Sequence, residues 1–194
     1  MKKTLSTLLA AALATSAMAY TPIKGRTQKT YDLASRINRS PEQVAEFVRD
    51  RVEYRSDVAG VFVNHRGIKR RVTDDYCQTP LDTYLRGYGD CEDFAVFAAS
   101  LLNRFGYQAK LYAFYKRNDN EGHAVCVVKE GSRFSVISNG KYTAGYRSVD
   151  EFIQKECPSW GMYEEFVIDQ SQVDGTLPIR TVYRDKSQEK FWDE

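Results

Sequence analysis

Apolar positions recur at helical spacing through the first half of the chain, and the period shortens to that of strands after residue 106. The clearest pattern is Phe94, Phe97, Ala98, Leu101, Leu102 and Phe105, one face of a helix that Gly106 is placed to stop. A helix this apolar predicts the central core element. Upstream, Ser40-Pro41-Glu42-Gln43 is a capping box, followed by Val44, Phe47, Val48 and Val52 at helical spacing. Thr79-Pro80-Leu81-Asp82 opens a shorter helix with Leu81, Tyr84 and Leu85 inward, ended by Gly87 and Gly89. Residues 27–39 read as a short helix with Tyr31, Leu33, Ala34 and Ile37 as core positions. Residues 55–75 carry no firm period.

Residues 107–116, 122–129 and 132–138 are rich in Val, Ile, Tyr and Phe. Turn clusters at Asn118-Asp119-Asn120 and Glu130-Gly131 separate them, which predicts an antiparallel meander. Residues 141–147 add a strand, and Ser148-Val149-Asp150-Glu151 caps a helix running to Glu156, before Pro158. Residues 163–169 read as a last strand. Helices first and strands afterwards imply an α+β fold. The expected organisation is one domain over residues 20–170 and a polar C-terminal tail over 171–194. Residues 1–19 read as a signal peptide, with Lys2-Lys3, an apolar run from Leu5 to Leu13, and Ala17-Met18-Ala19 before the cut. That address implies export, to the periplasm or beyond. No later segment is apolar enough to span a bilayer, so no stable membrane insertion is expected after cleavage.

Composition narrows the function classes. The 194 residues are 42% hydrophobic and 28% charged, with 13 Tyr and 10 Phe to fill a core. Without Lys2 and Lys3 the balance is 26 basic to 26 acidic residues, and a neutral chain with no basic face argues against nucleic-acid binding. Lys69-Arg70-Arg71 reads as a solvated loop, since Asp74 and Asp75 follow. Four cysteines with no CxxC pair and only two histidines argue against structural zinc. If Cys91 is kept free as a nucleophile, any bridge is expected to join Cys77 to Cys157, because Cys126 lies in a strand of the core.

The stretch Gly87-Tyr88-Gly89-Asp90-Cys91-Glu92-Asp93 carries the chemistry. Asp90 fits an N-cap, which puts Cys91 at the first position of the core helix. Free N–H groups and the positive helix end there favour a thiolate and can hold an oxyanion. The flanking glycines let the backbone approach a substrate. Asp90, Glu92 and Asp93 oppose the thiolate, and a structural cysteine beside ordinary N-terminal acids fits the same spacing. His123, opening the strand His123-Ala124-Val125-Cys126, is the first candidate base, ahead of His65 in the unpatterned region. Cys126 faces the other way by strand alternation. A third group should orient the imidazole. Asn139 or Ser138, at the end of the next strand, could do so, although Asn139-Gly140 is also a common turn.

These motifs resemble the transglutaminase-like (papain-like) fold and, within it, the bacterial transglutaminase-like cysteine peptidases. The resemblance rests on Asp75-Tyr76, Thr79-Pro80, the segment from Gly87 to Ala95, and His123-Ala124-Val125. It implies Cys91 as nucleophile and His123 as base. Ser138-Asn139 stands where the family commonly has Asp-Asn, and Cys77-Gln78 where a Trp often precedes Thr-Pro. The third member of the site is assigned to Asn139. The resemblance further implies a calcium site at Asp90 and Glu92, with no cofactor required. The resulting expectation is an exported thiol hydrolase that cleaves a peptide or isopeptide bond of a protein or peptide substrate through a thioester. The alternatives are transglutaminase-type acyl transfer and a non-catalytic binding domain on the same fold.

Overall fold

The computed structural model describes residues 23–57, 62–65, 68–71, 77–116, 122–157, 160–168 and 179–185. Residues 1–22, where a signal peptide is expected, Asp74 to Tyr76, residues 118–120, where a turn is expected, and most of 171–194 lie outside the described residues. The chain divides into two compact units. One contains Ser56–Tyr76, where β2 (Phe62–His65) and β3 (Ile68–Arg71) pair antiparallel from Phe62↔Arg71 to His65↔Ile68. Lys69, Arg70 and Arg71, read as a loop, are therefore in a strand.

The other unit, Pro22–Arg55 and Cys77–Glu194, holds the remaining elements. In order they are α1 (Gln28–Ala34), α2 (Pro41–Arg49), β1 (Glu53–Tyr54), α3 (Pro80–Arg86), β4 (Tyr88–Gly89) and α4 (Cys91–Arg104). Then come β5 (Gln108–Lys116), β6 (Gly122–Glu130), β7 (Arg133–Ser138), β8 (Lys141–Tyr146), α5 (Val149–Glu156), β9 (Trp160–Ile168) and β10 (Ile179–Asp185). The fold is α+β, as the pattern predicts. β5 to β8 form the expected meander, but β9 returns to the far side of β5 and β10 pairs with β9. The six-stranded antiparallel sheet thus runs β10-β9-β5-β6-β7-β8. Sequence reading assigned no element to Ile179–Asp185.

Helices cover both faces of the sheet. Along β6, Ala124, Cys126 and Val128 pack with the core residues of α2 and α4, while Val125 and Val127 pack with Val149, Phe152 and Ile153 of α5. α4 is buried at every position from Asp93 to Leu102, as befits a helix enclosed on all sides. It stops as predicted: the N–H of Gly106 bonds Asn103 O at 3.1 Å and that of Tyr107 bonds Leu102 O at 3.0 Å. Ser40 and Gln43 close the predicted capping box on α2. The box on α5 is half-formed, since Glu151 accepts the N–H of Arg147 rather than of Ser148.

Two expectations are corrected here. Leu33 and Ile37 are 56% and 57% exposed, because α1 ends at Ala34 and turns only Tyr31 fully inward. All four cysteines are free. Cys77 packs against the α4 side of the sheet and Cys157 against the α5 side, so the sheet stands between them.

Phe97 is fully buried and its ring meets those of Tyr31, Phe47 and Tyr84 at 6.1–6.4 Å. Truncation leaves a cavity that three aromatic neighbours cannot close. Phe97→Ala is expected to lower the unfolding free energy by about 3–5 kcal/mol. Urea unfolding with an unchanged slope checks this, and a loss below about 1 kcal/mol would place the core elsewhere.

Candidate active site

The turn that presents Cys91 is held from two sides. β1 pairs parallel with β4, with Glu53 N–H bonding Gly87 O at 2.9 Å and Arg55 N–H bonding Gly89 O at 2.8 Å. Asp90 then takes extended backbone as the N-cap and Cys91 opens α4. From within, Asp93 anchors the turn. Its carboxylate is 0% exposed and accepts Gln78 N–H at 2.6 Å, Gln78 Nε2–H at 2.6 Å and Asp90 N–H at 3.2 Å. Burial and the charge of Asp90 raise its pKa, while three N–H donors on its two oxygens oppose the rise and favour the ionised form.

Gly89 owes its identity to this carboxylate. A Cβ at position 89 would lie 2.4 Å from Asp93 Oδ2, so the missing side chain makes room for Asp93, where the sequence reading had reserved it for substrate. Sequence reasoning took Asp93 for an ordinary helix-start acid and overlooked Gln78. The available signal was an Asp at the third position of an otherwise apolar helix.

The Cys91 thiol is half-buried and donates to Glu92 Oε2 at 3.3 Å. The backbone N–H of Ala124, the residue after His123, lies near enough to the thiol to lower its pKa. Burial raises its pKa most, the Ala124 and Glu92 N–H groups pull it down, and the charge of Asp90 pushes it up. The last registered β6–β7 pair is Cys126↔Ile137, so His123 and Ala124 reach beyond that ladder, with Ala124 near Cys91. The His123 ring is half-buried, its pKa is lowered by burial, and its Nε2 lies 2.8 Å from Ser138 Oγ.

Asn139 stands differently. Its φ is +47° and that of Gly140 is +75°, two left-handed residues joining β7 to β8. That is a two-residue hairpin turn in which Asn-Gly is favoured. A Cβ on Gly140 would meet Arg49 Cβ of α2 at 2.7 Å, so the turn is also pressed against a helix. Of the two residues considered for the ring, Ser138 is the one at the imidazole nitrogen and Asn139 is the turn.

Cys126 and His65 are the other two residues weighed from sequence. Cys126 is fully buried and burial drives its thiol pKa far upward. His65 lies on β2 in the other unit.

Asp90 and Glu92 bring carboxylate oxygens within 4.8 Å of each other, one residue buried and the other half-buried. Hard oxygen donors at this spacing suit calcium, which would complete its shell with carbonyls and water. Asp93, committed to three N–H donors, is not a further ligand.

A family model described as a transglutaminase-like domain matches residues 29–155. The chain belongs to this family. Its fold agrees with the transglutaminase-like resemblance of the motifs. Among solved structures, calcium-bound LapG of Legionella pneumophila is 18% identical with a TM-score of 0.47, over 76% of this chain and 78% of that one. EGTA-treated LapG is 18% identical with a TM-score of 0.42, over 76% and 70%. A cysteine-protease candidate from Cytophaga hutchinsonii is 14% identical with a TM-score of 0.38, over 90% of this chain and 58% of its own. No curated protein matched in sequence. Among the described residues of this transglutaminase-like protein, no helix is long and apolar enough to cross a membrane.

Because Asp93 is fixed by two backbone donors, it cannot yield to a methyl group at position 89. Gly89→Ala is expected to cost about 1–3 kcal/mol, read from denaturant unfolding, and a neutral result would show that the carboxylate can move.

Proposed function

We propose that this transglutaminase-like protein is an exported thiol hydrolase that cleaves a peptide or isopeptide bond in a protein or peptide substrate. The observation that carries the reading is the Cys91 thiol at the start of α4, near the Ala124 N–H that follows His123, with His123 Nε2 at the Ser138 hydroxyl. With Nε2 so engaged, Nδ1 is the nitrogen assigned to the thiol. Burial keeps thiol and imidazole neutral at rest, so the proton leaves sulfur as the substrate is attacked.

In this scheme Cys91 Sγ bonds to the carbonyl carbon and its proton passes to His123. The oxyanion takes N–H groups of the first helical turn, which have no acceptor within the helix. The proton then moves to the departing amine, leaving a thioester. Water, deprotonated by the same ring, releases the acid and restores the thiol. An amine in place of water gives transglutaminase-type transfer. Calcium at Asp90 and Glu92 would supply positive charge beside the thiol, offsetting the effect of Asp90.

A non-catalytic binding domain is the second reading. It is favoured by the neutral Ser138, which cannot stabilise an imidazolium as a carboxylate does. Iodoacetamide at neutral pH separates the two: fast labelling mapped to Cys91 supports the enzyme, and labelling no faster than a free thiol supports the binding domain. Proteome-wide cleavage by the wild type against Cys91→Ala then identifies the substrate.

The ring partner is tested by substitution. Ser138→Ala is expected to lower kcat about tenfold or more, whereas Asn139→Gly, which suits the turn, leaves it unchanged. Ser138→Asp is expected to raise it. The reverse pattern would return the role to Asn139.

Calcium is expected to raise the unfolding temperature and the Cys91 labelling rate together. EGTA leaving both unchanged would reduce Asp90 and Glu92 to helix-start acids.

A further inference from the structure

Asp93 and Gln78 take no part in the scheme above, yet they form a buried polar junction in the helical turn that carries the nucleophile. Three elements meet at the Asp93 carboxylate. Gln78 precedes Thr79, the N-cap of α3, and contributes its backbone N–H and its Nε2. The same Nε2 bonds Tyr88 O of β4 at 3.2 Å. Asp90, the N-cap of α4, contributes its N–H. The carboxylate therefore ties the start of α3, strand β4 and the start of α4 to one point, two residues along α4 from Cys91.

We propose that Asp93 is a positioning residue for Cys91, acting through the Gln78 clamp to fix the first turn of α4. The proposal rests on the reading of Cys91 as a nucleophile. A buried carboxylate is a costly way to join three elements if stability is all that is gained, since an apolar contact of equal volume often serves as well. Its advantage is direction. Three N–H donors converge on two oxygens with defined angles, and the turn they fix carries both the thiol and the N–H groups assigned to the oxyanion. Displacing reacting groups by about 1 Å costs on the order of a hundredfold in rate, so loosening this turn should be felt in chemistry before it is felt in folding. Asn cannot replace Asp93 without turning a donor toward Gln78 or Asp90.

The test compares wild type, Asp93→Asn, Gln78→Ala and Cys91→Ala in the full mature chain. One readout is acylation by p-nitrophenyl acetate, in which the sulfur–acyl bond forms, p-nitrophenolate leaves and the thiol proton passes to the ring. The other is amide hydrogen exchange in the first turn of α4 against its middle, Phe97–Leu102. Iodoacetamide protection of Cys126 and Cys157 reports global opening. Asp93→Asn is expected to slow acylation at least about tenfold and to speed exchange in the first turn alone, with both buried cysteines still protected. Gln78→Ala, which spares both backbone donors, should show the same pattern at about two- to fivefold, and it decides the matter if Asp93→Asn does not fold.

Unchanged acylation and exchange overturn the proposal. So does exchange that rises equally along α4 with Cys126 and Cys157 exposed, which is a purely structural role. If wild type acylates no faster than Cys91→Ala, the hydrolase reading fails. Selective loosening of the first turn in Asp93→Asn would then still support the clamp.

Discussion

A helix buried on every side must still begin somewhere, and its first turn carries backbone N–H groups that the helix itself cannot accept. α4 is such a helix, and its buried start constrains the rest of the site. Asp93 accepts the N–H of Asp90 and ties Gln78 to the same point. Glycine at position 89 follows from it, because no side chain fits against that carboxylate. The parallel β1–β4 pair follows too, since it holds the strand that leads into the turn. What remains is a helix start with Cys91 at its first position and the overhanging end of β6 beside it.

The electrostatics of this arrangement favour neutral groups. Burial raises the Cys91 thiol and lowers the His123 ring, and Asp90 adds to the first effect. The Ala124 and Glu92 N–H groups oppose burial without a formal charge. A resting ion pair, in which proximity alone keeps sulfur ionised, is the wrong picture for such a pair. In the proposed scheme, reactivity rests instead on how well the ring is aimed and on any positive charge added near Asp90. Both depend on residues outside the proposed Cys-His pair, which is why Ser138 and the acids around Cys91 matter to that scheme.

Much of this was legible from local pattern. The period and the Gly106 stop delimit α4, the Ser40 box delimits α2, and the position of Cys91 follows from Asp90 as cap. These features depend on neighbours three or four residues apart. Long-range features were not legible. Nothing local shows that β9 crosses to the far side of β5, and β10 has no strong alternation of its own. Leu33 and Ile37 have the right spacing, but spacing gives a face and not the partner that must cover it. The supposed Cys77–Cys157 bridge failed for the same reason, since sequence cannot reveal a sheet between two residues. Asp93 was misread because acids at a helix start are ordinarily solvated, and only the fold makes this one a buried junction.

The choice between Ser138 and Asn139 shows how a turn can select a site residue. Side chains alternate along β7, so residues 138 and 139 could not both address the ring from a continued strand. Two left-handed residues at Asn139-Gly140 end the strand and set the register Ser138↔Lys141. That register leaves Ser138 on the same face as Val136, with its hydroxyl within 2.8 Å of His123 Nε2. Arg49 of α2 presses on Gly140, so a helix remote in sequence bears on the turn. The hydroxyl at the imidazole is thus a consequence of hairpin geometry backed by α2, and a carboxylate at position 138 would inherit the same placement without any change to the turn.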